Sequence, residues 1–209
     1  MFHRFRPYHS RRNRAVHMTL RRIVLSFMAA VLTLSLAATL QPLRAKAIDE
    51  YQLKAVFLYR LSLFVTWPQE AFHNADAPFT IGILGDDPFG PHLDRVVADE
   101  QVGGRSIKIE RYQSEGELSE RPCQILFISQ SFSQQWSRIK AFLGRFNLLT
   151  VSDMPGFGQK GGMVSINKHR NRIKIEINLA ESRKSELMIS AKLLKVARQV
   201  QTDAAGKRP

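Results

Sequence analysis

The alternation of apolar and polar residues is clearest near the end of the chain. Ile173, Ile175 and Ile177 alternate with Lys174 and Glu176. A period of two puts every second side chain on one face, so this run is a half-buried strand. Ser106–Tyr112 repeats the pattern with Ile107 and Ile109 against Lys108 and Glu110. Phe79–Leu84, Gln124–Ser129 and Leu148–Val151 are nearly continuous apolar runs, the pattern of strands buried on both faces. Val164–Ile166 completes the set and forms a hairpin with Ile173–Ile177 about the polar run Lys168–Arg172. Five polar residues make that loop longer than the shortest hairpin connections.

Helical spacing separates these strands. Leu53, Val56, Phe57, Leu61, Phe64 and Val65 predict a helix over 49–66, ended by Trp67-Pro68. A second helix follows Gly90 and runs to about Asp99, with Asp87 as its N-cap and Pro88 in the first turn. Phe132, Trp136, Ile139 and Leu143 place a third over Ser131–Phe142. Leu187, Ile189, Leu193, Leu194, Val196 and Ala197 form an apolar stripe, read as one long helix from Leu179 to Val200. The polar tail 201–209 is expected to fray. The expected fold is a single-domain α/β sandwich with a mixed sheet, a C-terminal antiparallel hairpin and a long C-terminal helix.

The front of the chain belongs to a different class. Arg11, Arg12, Arg14, Arg21 and Arg22 precede an apolar run from Ile23 to Leu40, and Ala45-Lys46-Ala47 follows. A basic region, an apolar stretch and a small-x-small site read as a secretory signal peptide over 1–47, with Met18 a plausible start. The other reading is an uncleaved anchor, because the run is about as long as a spanning helix requires. The expected domain then occupies 48–200.

Charge changes meaning once that leader is set aside. The chain is +13 with 31 basic residues, but nine of them lie in 1–47, where there is no acidic residue. The remainder carries 22 basic against 18 acidic residues, a net of +4. A polyanion-binding domain concentrates its basic excess on the fold, so nucleic acid is not an expected partner. Cys123 is the only cysteine and cannot form an intramolecular disulfide; it reads as a small buried thiol.

No constellation of reactive residues is apparent. His73, His92 and His169 are scattered, without a zinc-like i,i+4 pair. Gly85 and Gly90 do not make a dinucleotide fingerprint, and Asp86 and Asp87 beside them would repel phosphate. There is no Gly-x-Ser-x-Gly turn. The expectation is a non-enzyme without a cofactor or metal. The densest signature is the loop holding Pro155, Gly156, Gly158, Gly161 and Gly162, read as a crossover into the terminal hairpin or a surface that receives a partner. Tyr59, Trp67, Asp86, Asp87, Asp153, Phe157, Gly161, Gly162 and Met163 are the candidate partner or ligand contacts. For Tyr59 and Trp67 the competing reading is a core helix; for Asp153 it is a turn residue before Met154-Pro155.

Ordered blocks across the chain resemble a known family. They are Tyr51–Tyr59, Phe64–Pro68, Ile81–Gly90, Cys123–Ser129, Leu149–Asp153 with Gly156-Phe157 and Gly161–Met163, Glu176–Asn178, and Ile189–Leu194. In this order they look like the YfiR-type periplasmic proteins. The resemblance implies an exported, homodimeric repressor of an inner-membrane diguanylate cyclase, engaged through the cyclase's periplasmic part. It implies lowered cyclic di-GMP and biofilm formation, and an outer-membrane lipoprotein that sequesters the repressor. Related members serve sensor kinases. The redox disulfides of the best-known member cannot form within a chain that has only Cys123. The alternative is a periplasmic small-molecule binding protein feeding a sensor or transporter, with a pocket near Asp86, Asp153 and Gly161-Gly162.

Overall fold

The structure is a computed structural model that describes residues 49–118, 123–170 and 172–203; the leader reading over 1–47 lies outside the described residues. The described residues belong to one compact unit. Its elements are α1 (Glu50–Ser62), β1 (Val65–Thr66), β2 (Phe79–Leu84), α2 (Pro91–Val97), β3 (Gln101–Val102), β4 (Arg105–Tyr112) and β5 (Ile125–Ile128). Then come α3 (Trp136–Leu143), β6 (Leu149–Ser152), β7 (Val164–His169), β8 (Arg172–Ile177), α4 (Leu179–Lys184), β9 (Met188–Ile189), α5 (Ala191–Val196) and β10 (Arg198–Gln199).

The main sheet has the order β10-β8-β7-β6-β5-β2-β4-β3. Strands β4, β2, β5, β6 and β7 run parallel, and β8 turns back antiparallel to β7. The mixed α/β architecture with a terminal hairpin is therefore as expected. Every residue of β2, β5 and β6 is buried, because both sheet faces are covered. Ile81, Ile83, Ile125, Phe127, Leu149 and Val151 belong to one core, packed with residues of α1, α2 and α5. Leu84, Leu126 and Ile128 alternate into a second core with Trp136, Ile139 and Leu143 of α3. Each large apolar side chain so buried contributes about 1.5–3 kcal/mol.

Four elements differ from the sequence reading. The first helix stops at Ser62, and Val65-Thr66 instead pairs antiparallel with β9. Asp87 does not cap a helix; its side chain accepts from the N–H groups of Phe89 and Gly90, and α2 begins at Pro91. The hairpin is tighter than expected, since β7 pairs in register as far as His169 with Arg172. Polar residues sit in a strand without penalty when its outer face meets solvent.

The long C-terminal helix is the largest correction. Its span divides into α4, β9, α5 and β10. Glu186 adopts φ 58°, and Leu187 N–H donates to the Ser182 carbonyl, which closes α4 in a left-handed turn. Ser190 then caps α5 through the Leu193 N–H, and its own N–H donates to Phe64. Apolar spacing had suggested continuity, but capping chemistry decided the breaks. The tail is also fastened as far as it is described: Thr202 bonds Asn178 and Glu181, and Asp203 N–H donates to Gln159.

Candidate functional site

The C-terminal ends of the parallel strands are where open α/β sheets bind ligands. Two elements meet there in this chain: the first two turns of α1 and the residue that leaves β6. Lys54 follows Glu50 by four residues and Tyr51 by three, so both side chains reach it from the preceding helical turn. Asp153 follows Ser152, whose hydroxyl donates to Ile128 and accepts from Met154, fixing the chain as it leaves the strand.

Lys54 Nζ lies 2.7 Å from Asp153 Oδ2 and 2.7 Å from Glu50 Oε1. Tyr51 donates its hydroxyl to the same Asp153 oxygen at 3.1 Å, and its ring lies under the ammonium at 4.6 Å. Lys54 and Asp153 are 3% and 4% exposed, so this ion pair is buried. Burial alone would lower the Lys54 pKa, but the hydrogen bonds to Asp153 and Glu50 outweigh it and hold the group above its usual value. Tyr51 is raised too, by burial first and then by the charge of Asp153. A lysine kept protonated offers no lone pair to act as base or nucleophile. The cluster ties α1 to the end of β6.

The other anticipated residues fall in several places. Asp86 is exposed, and its N–H donates to Ser131 Oγ. Asp87 forms an ion pair with Arg111 at 2.8 Å. The crevice between β2 and β5, where the strand order reverses, is closed: Ser131 and Phe132 crowd Gly85, whose φ of 90° suits glycine. Tyr59 is buried and donates to Glu100 at 2.7 Å; Trp67 is half-buried and donates its indole N–H to the Gln124 carbonyl. Both serve the core side of the competing readings.

The glycine-rich loop turns its apolar side chains inward. Phe157 is fully buried, with its ring 4.5 Å from Trp136. It presses against Gly162, where a Cβ would collide with the ring. Met163 is 8% exposed, and its N–H donates to Thr150 Oγ1. Gly161 is covered by the Lys140 side chain. As contacts, Phe157 and Met163 are thus corrected to core residues. Cys123 is 3% exposed, and burial pushes its thiol well above the ordinary range, which keeps it unreactive.

Sequence reasoning missed the exposed apolar side chains. Leu63 is 51% exposed, Met188 67% and Val196 76%. Met188 pairs with Thr66 across the small β1–β9 sheet, and Leu63 sits at the end of α1 beside it in sequence. Nothing in the apolar stripe distinguished Val196 from core positions, and Met188 lay outside it, because the stripe is divided between β9, α5 and the residues flanking them. Lys54 did carry a signal: a glutamate four residues earlier on an apolar helix face. Among the described residues no group of three His, Cys, Asp or Glu side chains is placed to hold a metal, and no helix is long and apolar enough to cross a membrane.

Comparison with protein families decides the assignment. The family described as DUF4154, YfiR/HmsC-like, matches residues 51–198. The chain belongs to this YfiR/HmsC-like family. The match spans the described domain from α1 to β10. The family is one of periplasmic regulators linked to diguanylate cyclase signalling, regulatory rather than catalytic in character. No curated protein matches the sequence. Among solved structures, an ABC domain in complex with L-Trp from Streptococcus pneumonia aligns with a TM-score of 0.47 at 12% identity. That alignment covers 72% of this chain and 60% of the other.

Proposed function

We propose that this protein is exported and represses an inner-membrane diguanylate cyclase, or a related membrane sensor, by binding its periplasmic part. The observation that carries the reading is the family match over 51–198, which takes in nearly the whole described fold. The structure adds two physical supports. The buried Lys54–Asp153 pair lies at the C-terminal end of β6 and ties its charges to each other. Leu63 and Met188 present apolar surface, the kind of side chain that interface cores recruit. Homodimerisation and sequestration by an outer-membrane lipoprotein belong to the same proposal. Removal of the leader 1–47 precedes all of these steps.

A direct binding test uses the purified exported chain and the periplasmic domain of a membrane diguanylate cyclase from the same organism. Titration calorimetry is expected to show saturable binding. Absence of heat and of co-elution at high micromolar concentration would remove the contact mechanism.

A further inference from the structure

The main sheet has two outer edges, and they differ in charge. On the β4 edge the charged groups are occupied: Arg105 donates to the Asn74 and Ala77 carbonyls, Lys108 pairs with Glu110 at 2.6 Å, and Arg111 with Asp87 and Asp94 at 2.8 and 2.6 Å. On the β8 edge the pairing stops short. β10 lies only against Glu176 and Ile177, so Arg172–Ile175 has no strand beside it among the described residues. Val200 N–H donates to the Ile177 carbonyl from this side, so Ile177 turns its backbone groups outward. Backbone direction alternates along a strand, which points the amides of Ile173 and Ile175 the same way.

Side chains complete the site. A half-open cleft of about 420 Å³ runs along this edge, with Phe57, Ile173, Ile175 and Val196 as its apolar wall. Lys174, Glu176 and Arg198 form its rim. Glu176 is neutralised by Arg198 at 3.1 Å. Arg170, Arg172 and Lys174 have no carboxylate partner among the described residues, and all three are exposed. An open row of backbone donors is therefore flanked by unpaired cations and an apolar groove.

We propose that the β8 edge receives an acidic, extended segment of a partner protein, which adds as a strand along Arg172–Ile175. Strand addition supplies backbone bonds for affinity and alternate side-chain contacts for specificity. Apolar residues of the segment enter the groove of Phe57 and Val196, and its carboxylates face Arg172 and Lys174. A second copy of this chain is a poor occupant. A two-fold axis makes the added strand antiparallel, and residues directly opposite share a face. Setting Ile173 against itself opposes Arg172 to Lys174 of the copy, and setting Ile173 against Ile175 opposes Lys174 to Lys174. Like charges across a strand pair are destabilising. The next register needs Glu176, which β10 already covers.

The inference rests on the reading that this chain works by protein contact, and its test is separable from that reading. Three nine-residue peptides serve as probes: alternating valine and glutamate, the same with lysine for glutamate, and the acidic peptide with a central proline. Amide hydrogen exchange is followed on the whole exported chain. The acidic peptide is expected to slow exchange at Ile173 and Ile175 by roughly tenfold or more, as strand pairing does. The lysine and proline peptides are expected to leave both amides unchanged. In the Arg172→Glu/Lys174→Glu variant, protection should pass to the lysine peptide. No protection by the acidic peptide, or equal protection by the acidic and lysine peptides, overturns the proposal. So does protection that depends on protein concentration without any peptide, which would name a second copy. Repression of the cyclase with these amides unprotected sinks this surface and leaves the regulatory reading standing.

Discussion

Asp153→Ala is expected to cost about 3 kcal/mol of stability, the lower end for breaking a buried ion pair. The cost arises because Lys54, 3% exposed, loses its buried counter-charge while remaining in place. Glu50 stays as a partial partner at 2.7 Å, which keeps the loss from being larger. Urea unfolding followed by circular dichroism reads the change as a lower midpoint with an unaltered slope. The paired replacement Lys54→Met/Asp153→Leu should recover most of the loss, because it removes both charges and keeps apolar volume. If the double variant is as unstable as Asp153→Ala alone, the cluster does not act as an isolated charge pair. The pH dependence has a definite sign. The folded pKa values of Lys54 and Tyr51 are raised, so their contribution is present below the unfolded values near 10 and fades as pH climbs beyond them. Stability between pH 6 and pH 9 should not vary on account of this cluster.

Phe157→Ala is expected to be at least as damaging, at about 3–5 kcal/mol, because it empties a closed position in the core. The ring contacts Trp136 and fills the space that Gly162 leaves open. Thermal or urea unfolding should show the loss whether or not any partner is present. A variant that keeps wild-type stability would mean that the loop does not pack as described. The result also governs how activity data are read. Loss of repression in Phe157→Ala would follow from unfolding, whereas loss in a stable Leu63 or Met188 variant would report on a surface.

Much of the fold was legible because its strongest signals are local. Ile173–Ile177 and Ile107–Ile109 alternate over residues that become β8 and β4. The apolar runs at Phe79–Leu84 and Ile125–Ile128 announced central strands, and both are buried throughout. The C-terminal region was misread because a helix-like apolar spacing runs from Leu187 through β9 and α5, while the breaks depend on Glu186 and Ser190. The glycine loop looked like a surface because glycine marks backbone freedom, and here that freedom admits the Phe157 ring inside. Asp153 was read as a candidate contact, and the fold places it against Lys54. Its partner Lys54 lies 99 residues earlier, and no local pattern links positions so far apart. The unpaired edge of β8 was equally invisible, since it depends on where β10 stops.

The claim at the centre of this account is repression of a membrane diguanylate cyclase by an exported family member. Intracellular cyclic di-GMP, measured by mass spectrometry in a strain lacking the gene and in the same strain complemented, tests it most directly. The account predicts a rise on deletion, reversal by the wild-type chain, and no reversal by a chain without residues 1–47, which stays in the cytoplasm. Unchanged cyclic di-GMP on deletion across growth conditions, or full reversal by the leaderless chain, would contradict it.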